Sequence, residues 1–370
     1  MASATTIKPA RGFRSELARR GAADAARCFQ CATCSAVCDL TTDDAAFPRR
    51  QMLWAQWGLV DRLVADPSIW LCHQCNDCST RCPRDAKPGD ALQTIRALMV
   101  EEVGAPRFLA RLVGKASVTW PLLLGVPILL WAVLIYATTG FAMPQGPLIY
   151  GEVVPHHLIY LVFMPSFAFA TVAAIVGARR YWNAWGDGGT RSGSLLQGLT
   201  GVISDILLHK RFEKCGAALP RRFGHIALFW GFIGALITTS LVVIAMYGFG
   251  AELPMPQTHP LKILGNISAV LLIVGAVSLV ANRVTNAASG TSRAYDNFFL
   301  VLVIGVALTG TGAEVARYVL PASLAVALYV VHLGVVLSLF LTFPYSKFAH
   351  AMYRTLAMAH QRMAVQRRAP

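Results

Sequence analysis

Cys72, Cys75, Cys78 and Cys82 lie within the stretch WLCHQCNDCSTRCP, and Cys28, Cys31, Cys34 and Cys38 repeat their spacing in CFQCATCSAVC. Thiolates are ligands for soft metals and for iron–sulfur cages. Two intervening residues let consecutive thiolates wrap one face of a small inorganic cube, whereas three carry the fourth thiolate away from it. Zinc would ask for two C-x-x-C pairs around one metal, and gives no reason for a third cysteine at the same step. The first twenty residues, MASATTIKPARGFRSELARR, contain no apolar signal stretch. The thiols are therefore expected in the cytoplasm, where they stay reduced and bind metal instead of pairing. Cys215, alone in FEKCGAAL, is read as an unligated thiol.

In two-cluster ferredoxins a C-x₂-C-x₂-C-x₃-C-P run sends its fourth cysteine to the other cluster. By that logic Cys28, Cys31, Cys34 and Cys82 hold one [4Fe–4S] cluster, and Cys72, Cys75, Cys78 and Cys38 hold the second. The first copy departs from the run, since Asp39 follows Cys38 where a proline is usual. The 33 residues between the motifs are too many for the compact β-rich ferredoxin. They include PRRQMLWAQWGLVDRLV, in which Met52, Leu53, Trp57 and Val60 recur at helical steps, and GDALQTIRALMVEEV follows as a second helical stretch. Over about residues 20–105 the head resembles the all-helical ferredoxin domain of succinate dehydrogenase iron–sulfur subunits and of the C subunit of heterodisulfide reductase.

These motifs precede a very different chain. Apolar residues make up 55% of the sequence and charged residues 14%, too few to cover a soluble surface, and the long uncharged blocks all come after Lys115. Runs able to cross ~30 Å of hydrocarbon lie near 118–140, 155–178, 225–247, 261–281, 297–317 and 321–345. Six spans return the C-terminus to the side of the head. Arg107, Arg111, Lys115, Arg179, Arg180, Lys210, Arg211, Lys214, Arg221, Arg222, Arg283, Arg293, Lys347 and Arg354 fall on that side, while FAMPQGPLIYGEVVPHH and GFGAELPMPQTHP contain no lysine or arginine. The positive-inside rule then predicts a multi-pass protein of the cytoplasmic (inner) membrane, with head and C-terminus in the cytoplasm. The same rule accounts for the net charge of +14 without a nucleic-acid partner. The expected architecture is all-α. A ferredoxin domain occupies 1–110, a six-span domain 111–360 and a basic tail 361–370. A helix near 195–210 carries Leu195, Leu199, Val202, Ile206 and Leu207 on one stripe and is expected to lie in the cytoplasmic interface. Gly310 and Gly312 fall inside a span, and no G-x-G-x-x-G follows a strand, so flavin, nicotinamide or nucleotide chemistry is not expected here.

Ionisable groups at bilayer depth default to a functional reading, and neutral imidazole is an axial ligand for haem iron. His225 opens the third span, His332 sits mid-span in YVVHLGVV, and His350 follows LTFPYSKFA. His332 and His350 would stand ~27 Å apart along one helix, so each would serve a different iron. His225 and His350 share the level nearest the head and form the candidate haem b pair. His209 belongs to the interfacial helix and is read as a surface residue, whereas His259, before Pro260, could sit near a quinone. A hydrogen-bonded interhelical histidine is the competing reading for each of these.

The stretch HLGVVLSLFLTFPYSKFAHAMYR resembles the haem helix of the respiratory nitrate reductase cytochrome b (gamma) family, which carries two histidines at this spacing. That family has a second histidine ten residues after the first on its earlier haem helix, where this sequence has Ala235. His157, or its neighbour His156, is the candidate partner of His332 for a second haem. The order of head and membrane domain over residues 20–360 resembles the C subunit of quinone-interacting membrane-bound oxidoreductase complexes. In these, modules like the C and E subunits of heterodisulfide reductase form one chain. The resemblance implies flavin and iron–sulfur partner subunits, an adenylylsulfate reductase beyond them, and quinone as substrate. Lys262, after THP on the outer side, and Glu314 are the candidate quinone residues, because a fixed cation stabilises charge developing on a quinone oxygen. The alternatives are a subunit serving a heterodisulfide reductase or nitrate reductase, or a haem-free membrane anchor for a cytoplasmic redox enzyme.

Overall fold

The computed structural model describes residues 8–186, 194–211, 219–286, 290, 291 and 293–365. Cys215 lies outside them. The described residues are helical, apart from turns, loops and one isolated bridge between Thr42 and Ala45.

The head is built from short helices around one long one. In order they are α1 (Phe13–Leu17), α2 (Thr33–Ala36), α3 (Arg49–Gln56), α4 (Val60–Val64), α5 (Ser68–Leu71), α6 (Asp77–Thr80) and α7 (Pro88–Val103). Helix α7 starts with proline at its first turn, where the missing N–H costs nothing. It buries Ala91, Leu92, Ile95, Leu98, Met99 and Val103 at steps of three and four, against Met52 and Ala55 of α3 and Leu63 of α4. Trp57, on the same predicted helical stretch as Met52, lies just past α3 and is 59% exposed.

After α8 (Arg107–Gly114) the chain enters α9 (Ala116–Thr139), then passes through α10 (Tyr150–Val153) into α11 (His156–Ala184). The predicted interfacial helix is two pieces, α12 (Leu195–Thr200) and α13 (Ile203–Leu207), separated at Gly201–Val202. Ser194 and Gln197 form a capping box at the start of α12. Next come α14 (Leu219–Phe249), α15 (Pro260–Thr285), α16 (Ala294–Val319), α17 (Ala322–Thr342) and α18 (Ala349–Val365). Six of these, α9, α11 and α14 to α17, are long and apolar enough to cross a membrane. Small residues let the α14–α15 hairpin close tightly. A Cβ at Gly275 would stand 2.7 Å from the Leu228 backbone nitrogen.

The expected continuous last haem helix is broken. Helix α17 ends at Thr342, the chain turns through Pro344, which has no N–H to continue the helix, and α18 begins at Ala349. His332 and His350 therefore sit on different helices, and rise along one axis does not measure their separation. Helix α18 continues through Val365, into the stretch expected to be a tail.

Helix α18 folds back onto the head. One core joins Trp70 and Leu71 of the head to Tyr181 and Trp185 of α11, Val202 between α12 and α13, and Ala349, Tyr353, Ala357 and Met358 of α18. Trp70 packs at 5.0 Å from Tyr353 and 5.7 Å from Tyr181, centroid to centroid. Helices α11 and α18 approach so closely at Gly177 that a Cβ there would collide with the Tyr353 hydroxyl oxygen. Replacing Trp70 by alanine should cost about 3–5 kcal/mol at this seam. Hydrogen exchange would register it as lost protection in 60–75 and in α18 with α9 unaffected, and uniform protection would refute it.

Candidate metal centres and their junction with the membrane helices

The two cysteine motifs fold into copies of one loop. Cys28 and Cys72 are extended, Gln30 and Gln74 adopt φ of 61° and 57°, and Ala32 and Asn76 both adopt φ of 70° before short helices α2 and α6. Left-handed backbone at non-glycine residues costs energy and clusters at functional sites. Here it bends each chain around its thiols twice in three residues. The turns also aim polar hydrogens at sulfur. The backbone N–H of Gln74 donates to Cys72 Sγ and that of Ala86 to Cys82 Sγ, each at 3.4 Å, and the Gln30 side-chain amide donates to Cys28 Sγ at 3.4 Å.

Helices α2 and α6 pack together, which brings the loops side by side and sets the fourth cysteine of each motif near the other motif's first cysteines. One small cavity is lined by Cys28, Cys31, Cys34 and Cys82, with Arg49, Arg84 and Pro88 around it. The buried Cys34 thiol is pushed up by burial and then by Cys28, Cys31 and Cys82. Burial pushes Cys38 up to about 11, with Cys72 and Cys75 adding to it, and raises Cys78, whose charged neighbours are Cys72, Cys75 and Cys38. Thiols raised in this way hold their protons at neutral pH, so metal loading must displace them. Among the described residues, no three or more His, Cys, Asp or Glu side chains form a group that could hold one metal ion. A cube asks for a different arrangement. Each thiolate binds its own iron corner, so the sulfurs stand apart around a void. The donor sets fit cubane clusters better than zinc.

The second loop is the one docked on the membrane helices. Arg96 of α7 donates to the Cys72 carbonyl at 3.0 Å, the Ile69 carbonyl at 2.9 Å and the Gln74 side chain at 3.2 Å. Arg221 of α14 donates to the carbonyls of Gln74 and His73, at 2.8 and 3.0 Å. Arg354 of α18 donates to the Cys72 carbonyl and to His73 Nδ1, each at 3.0 Å. Burial, then Arg354, pushes His73 down to about 3, so its neutral ring accepts this bond. Burial, then the Arg96 charge, pushes Arg354 down to about 10.

His225 lies one turn beyond Arg221 on α14, and His350 one turn before Arg354 on α18. Their ring centroids are 5.9 Å apart at an interplanar angle of 80°. His350 Nδ1 bonds the Lys347 carbonyl, and His225 Nδ1 is 2.8 Å from His209 Nε2. With Nδ1 engaged on both rings, any metal bond is directed to Nε2. Burial pushes His350 down to about 4 and keeps it neutral, as an iron ligand must be.

His209 corrects the sequence reading. It is 7% exposed, with φ of 51°, and packs its ring on His225 and Phe229. It lies two residues past the end of α13, where left-handed backbone takes its ring off the interfacial stripe and against His225, an effect periodicity alone cannot register.

The other candidates are dispersed. His332 Nδ1 is 2.9 Å from Thr309 Oγ1 and its ring packs on Gly310, whereas His157 is exposed at the start of α11 and His156 packs on Gly151. His259 caps α15, accepting from the Leu261 N–H at 3.3 Å. Lys262 and Glu314 are brought together as a 2.5 Å ion pair. Gln257 donates to Glu314 at 2.7 Å and to the Tyr318 hydroxyl at 3.1 Å.

Residues 24–86 match the 4Fe-4S dicluster domain family, and residues 104–370 match the family described as citrate utilization protein B. The chain belongs to the citrate utilization protein B family. It is 28% identical over 307 residues to citrate utilization protein B of Escherichia coli, covering 78% of this chain and 79% of that one. The head is 36% identical over 76 residues to a protein of Archaeoglobus profundus described as like the C subunit of heterodisulfide reductase. It is also 36% identical over 69 residues to the C subunit of the H(2):CoB-CoM heterodisulfide,ferredoxin reductase of Methanothermobacter thermautotrophicus. These matches cover 20% and 19% of this chain, and 40% and 37% of those proteins, so the chain spans less than half the length of either. No solved structure matches. The head is thus an iron–sulfur electron-transfer module related to the heterodisulfide reductase C subunit, carried on helices apolar enough for a membrane. The membrane part belongs with a family that the sequence reading did not name.

Proposed function

We propose that the protein is the membrane electron-transfer subunit of an oxidoreductase complex, linking a cytoplasmic redox partner to quinone. The observation that carries this reading is the junction just described. Arg221 and Arg354 hold the second thiol loop, and each is one helical turn from a histidine of the His225–His350 pair. Two [4Fe–4S] clusters, on Cys28, Cys31, Cys34 and Cys82 and on Cys72, Cys75, Cys78 and Cys38, supply one-electron chemistry when bound. So would haem b, which His225 and His350 would hold. The chain's own part is to hold the thiolates around two voids, keep both imidazoles correctly turned, and exclude water from the junction. His332 is the candidate ligand for a second haem, with His157 as its partner.

The cytoplasmic partner is a flavin or iron–sulfur enzyme. The sequence resemblance implied adenylylsulfate reductase. The name of the relative that is similar over most of its length favours instead an enzyme acting on a carboxylic acid of the citrate class.

The test is spectroscopic. Reduced full-length protein should show the visible α-band of b-type haem, and a quinone analogue should bleach it. Absence of the band would favour the haem-free anchor. Quinone reduction is assigned to Lys262 and Glu314, where an ammonium and a carboxylate can serve the carbonyl and its proton. Replacing Lys262 by alanine should slow reoxidation by the analogue about tenfold, the scale of one lost charge-assisted bond. Unchanged kinetics would leave the ion pair as a structural tie.

A further inference from the structure

The two thiol loops share a backbone but differ in surroundings. At the first, Cys31 is exposed, Phe29 is 68% exposed with the Arg84 guanidinium over its ring at 4.1 Å, and both guanidinium groups that line the cavity, Arg49 and Arg84, are exposed to screening solvent. At the second, three guanidinium groups converge on the backbone of Cys72, His73 and Gln74. Arg96 and Arg354 give these bonds to carbonyl oxygens, an amide oxygen and an imidazole nitrogen, and bonds to neutral acceptors do not cancel the positive charge. Arg96 belongs to the head itself, and the other two come from α14 and α18, so the packing of the head on those helices adds two of the three charges.

We propose that Arg96, Arg221 and Arg354 are positioning residues that raise the reduction potential of the second cluster above that of the first. They thereby fix the second cluster as the one that exchanges electrons with the membrane helices. The first cluster, at the exposed Cys31 end, exchanges with the soluble partner. A reduced cluster carries one more negative charge than an oxidised one. Fixed cations nearby stabilise that form, and do so more strongly in the poorly solvated junction than at the surface. One electron moves per step. The first cluster is oxidised, the second is reduced, and no bond forms or breaks. With a reduced flavin or iron–sulfur partner as donor, the downhill direction runs from solvent to membrane. The inference rests on the two-cluster reading above.

The experiment is a potentiometric titration of the full-length protein, followed by electron paramagnetic resonance. The parent should show two one-electron steps. Arg354→Gln should lower the upper step, changing its reduced-to-oxidised ratio at fixed potential about tenfold, equivalent to about 59 mV, and leave the lower step in place. Arg354→Lys, which keeps the charge, should retain most of the upper potential. Arg84→Gln should move only the lower step, because Arg84 lines the first cavity. If Arg354→Gln costs the second cluster outright, Arg221→Gln decides by the same shift. A shift of the lower step in Arg354→Gln or Arg221→Gln, or no shift with both clusters present, overturns the proposal. A parent with other than two clusters overturns the two-cluster reading, and this one with it.

Discussion

Replacing Cys82 by alanine should remove the cluster of the first motif and spare that of the second, although Cys82 belongs to the second motif. Cys82 lines the cavity with Cys28, Cys31 and Cys34, and its charge is felt by Cys34. Cys38 interacts instead with Cys72 and Cys75. The reciprocal change, Cys38→Ala, should remove the second cluster. In either variant iron should fall from about eight to about four atoms per chain. The informative measurement is which signal survives, read against the Arg84→Gln and Arg354→Gln shifts. If Cys82→Ala abolishes the cluster that responds to Arg354, each motif holds its own cluster and the crossed arrangement is wrong. A lost ligand is the largest effect expected anywhere in the head, because three thiolates leave one iron corner open to solvent and oxidation.

His225→Ala and His350→Ala should each abolish a b-type haem while both iron–sulfur signals persist. The two rings come from helices far apart in sequence and meet at 5.9 Å. Removing either imidazole would leave the haem a single protein ligand. The second thiol loop is held to α14 and α18 by hydrogen bonds from Arg221 and Arg354, side chains other than the two rings. His209→Ala should have a smaller effect, roughly 10–100-fold in haem affinity, because His209 orients His225 through its Nδ1 without being a ligand itself. Full haem retention in both ligand variants would return the pair to an interhelical contact. A His209→Ala protein as depleted as His225→Ala would make His209 a ligand.

Local spacing and local composition determined much of this protein by themselves. The eight cysteines specify two loops, because x₂ spacing allows only a few ways to bend around a cluster, and the same left-handed turns recur at Gln30 and Gln74. The six long helices follow from apolar runs that no soluble surface could accommodate, and the structure places their ends within about six residues of the expected ones, the last within about three. The junction was not legible. The break at Pro344 makes α18 a separate helix, left-handed backbone past α13 carries His209 inward, and the head packs on α11 and α18 through the aromatic seam of Trp70, Tyr181 and Tyr353. Arg221 and Arg354 read in sequence as topology-setting charges at span ends. Only the fold shows them donating to the carbonyls of a thiol loop, because buried carbonyls left by left-handed turns must find donors and the nearest cations lie on other helices. Lys262 and Glu314, 52 residues apart, likewise become one ion pair only when α15 and α16 pack. Sequence periodicity records what each segment buries, and tertiary packing alone decides which segments share the burial.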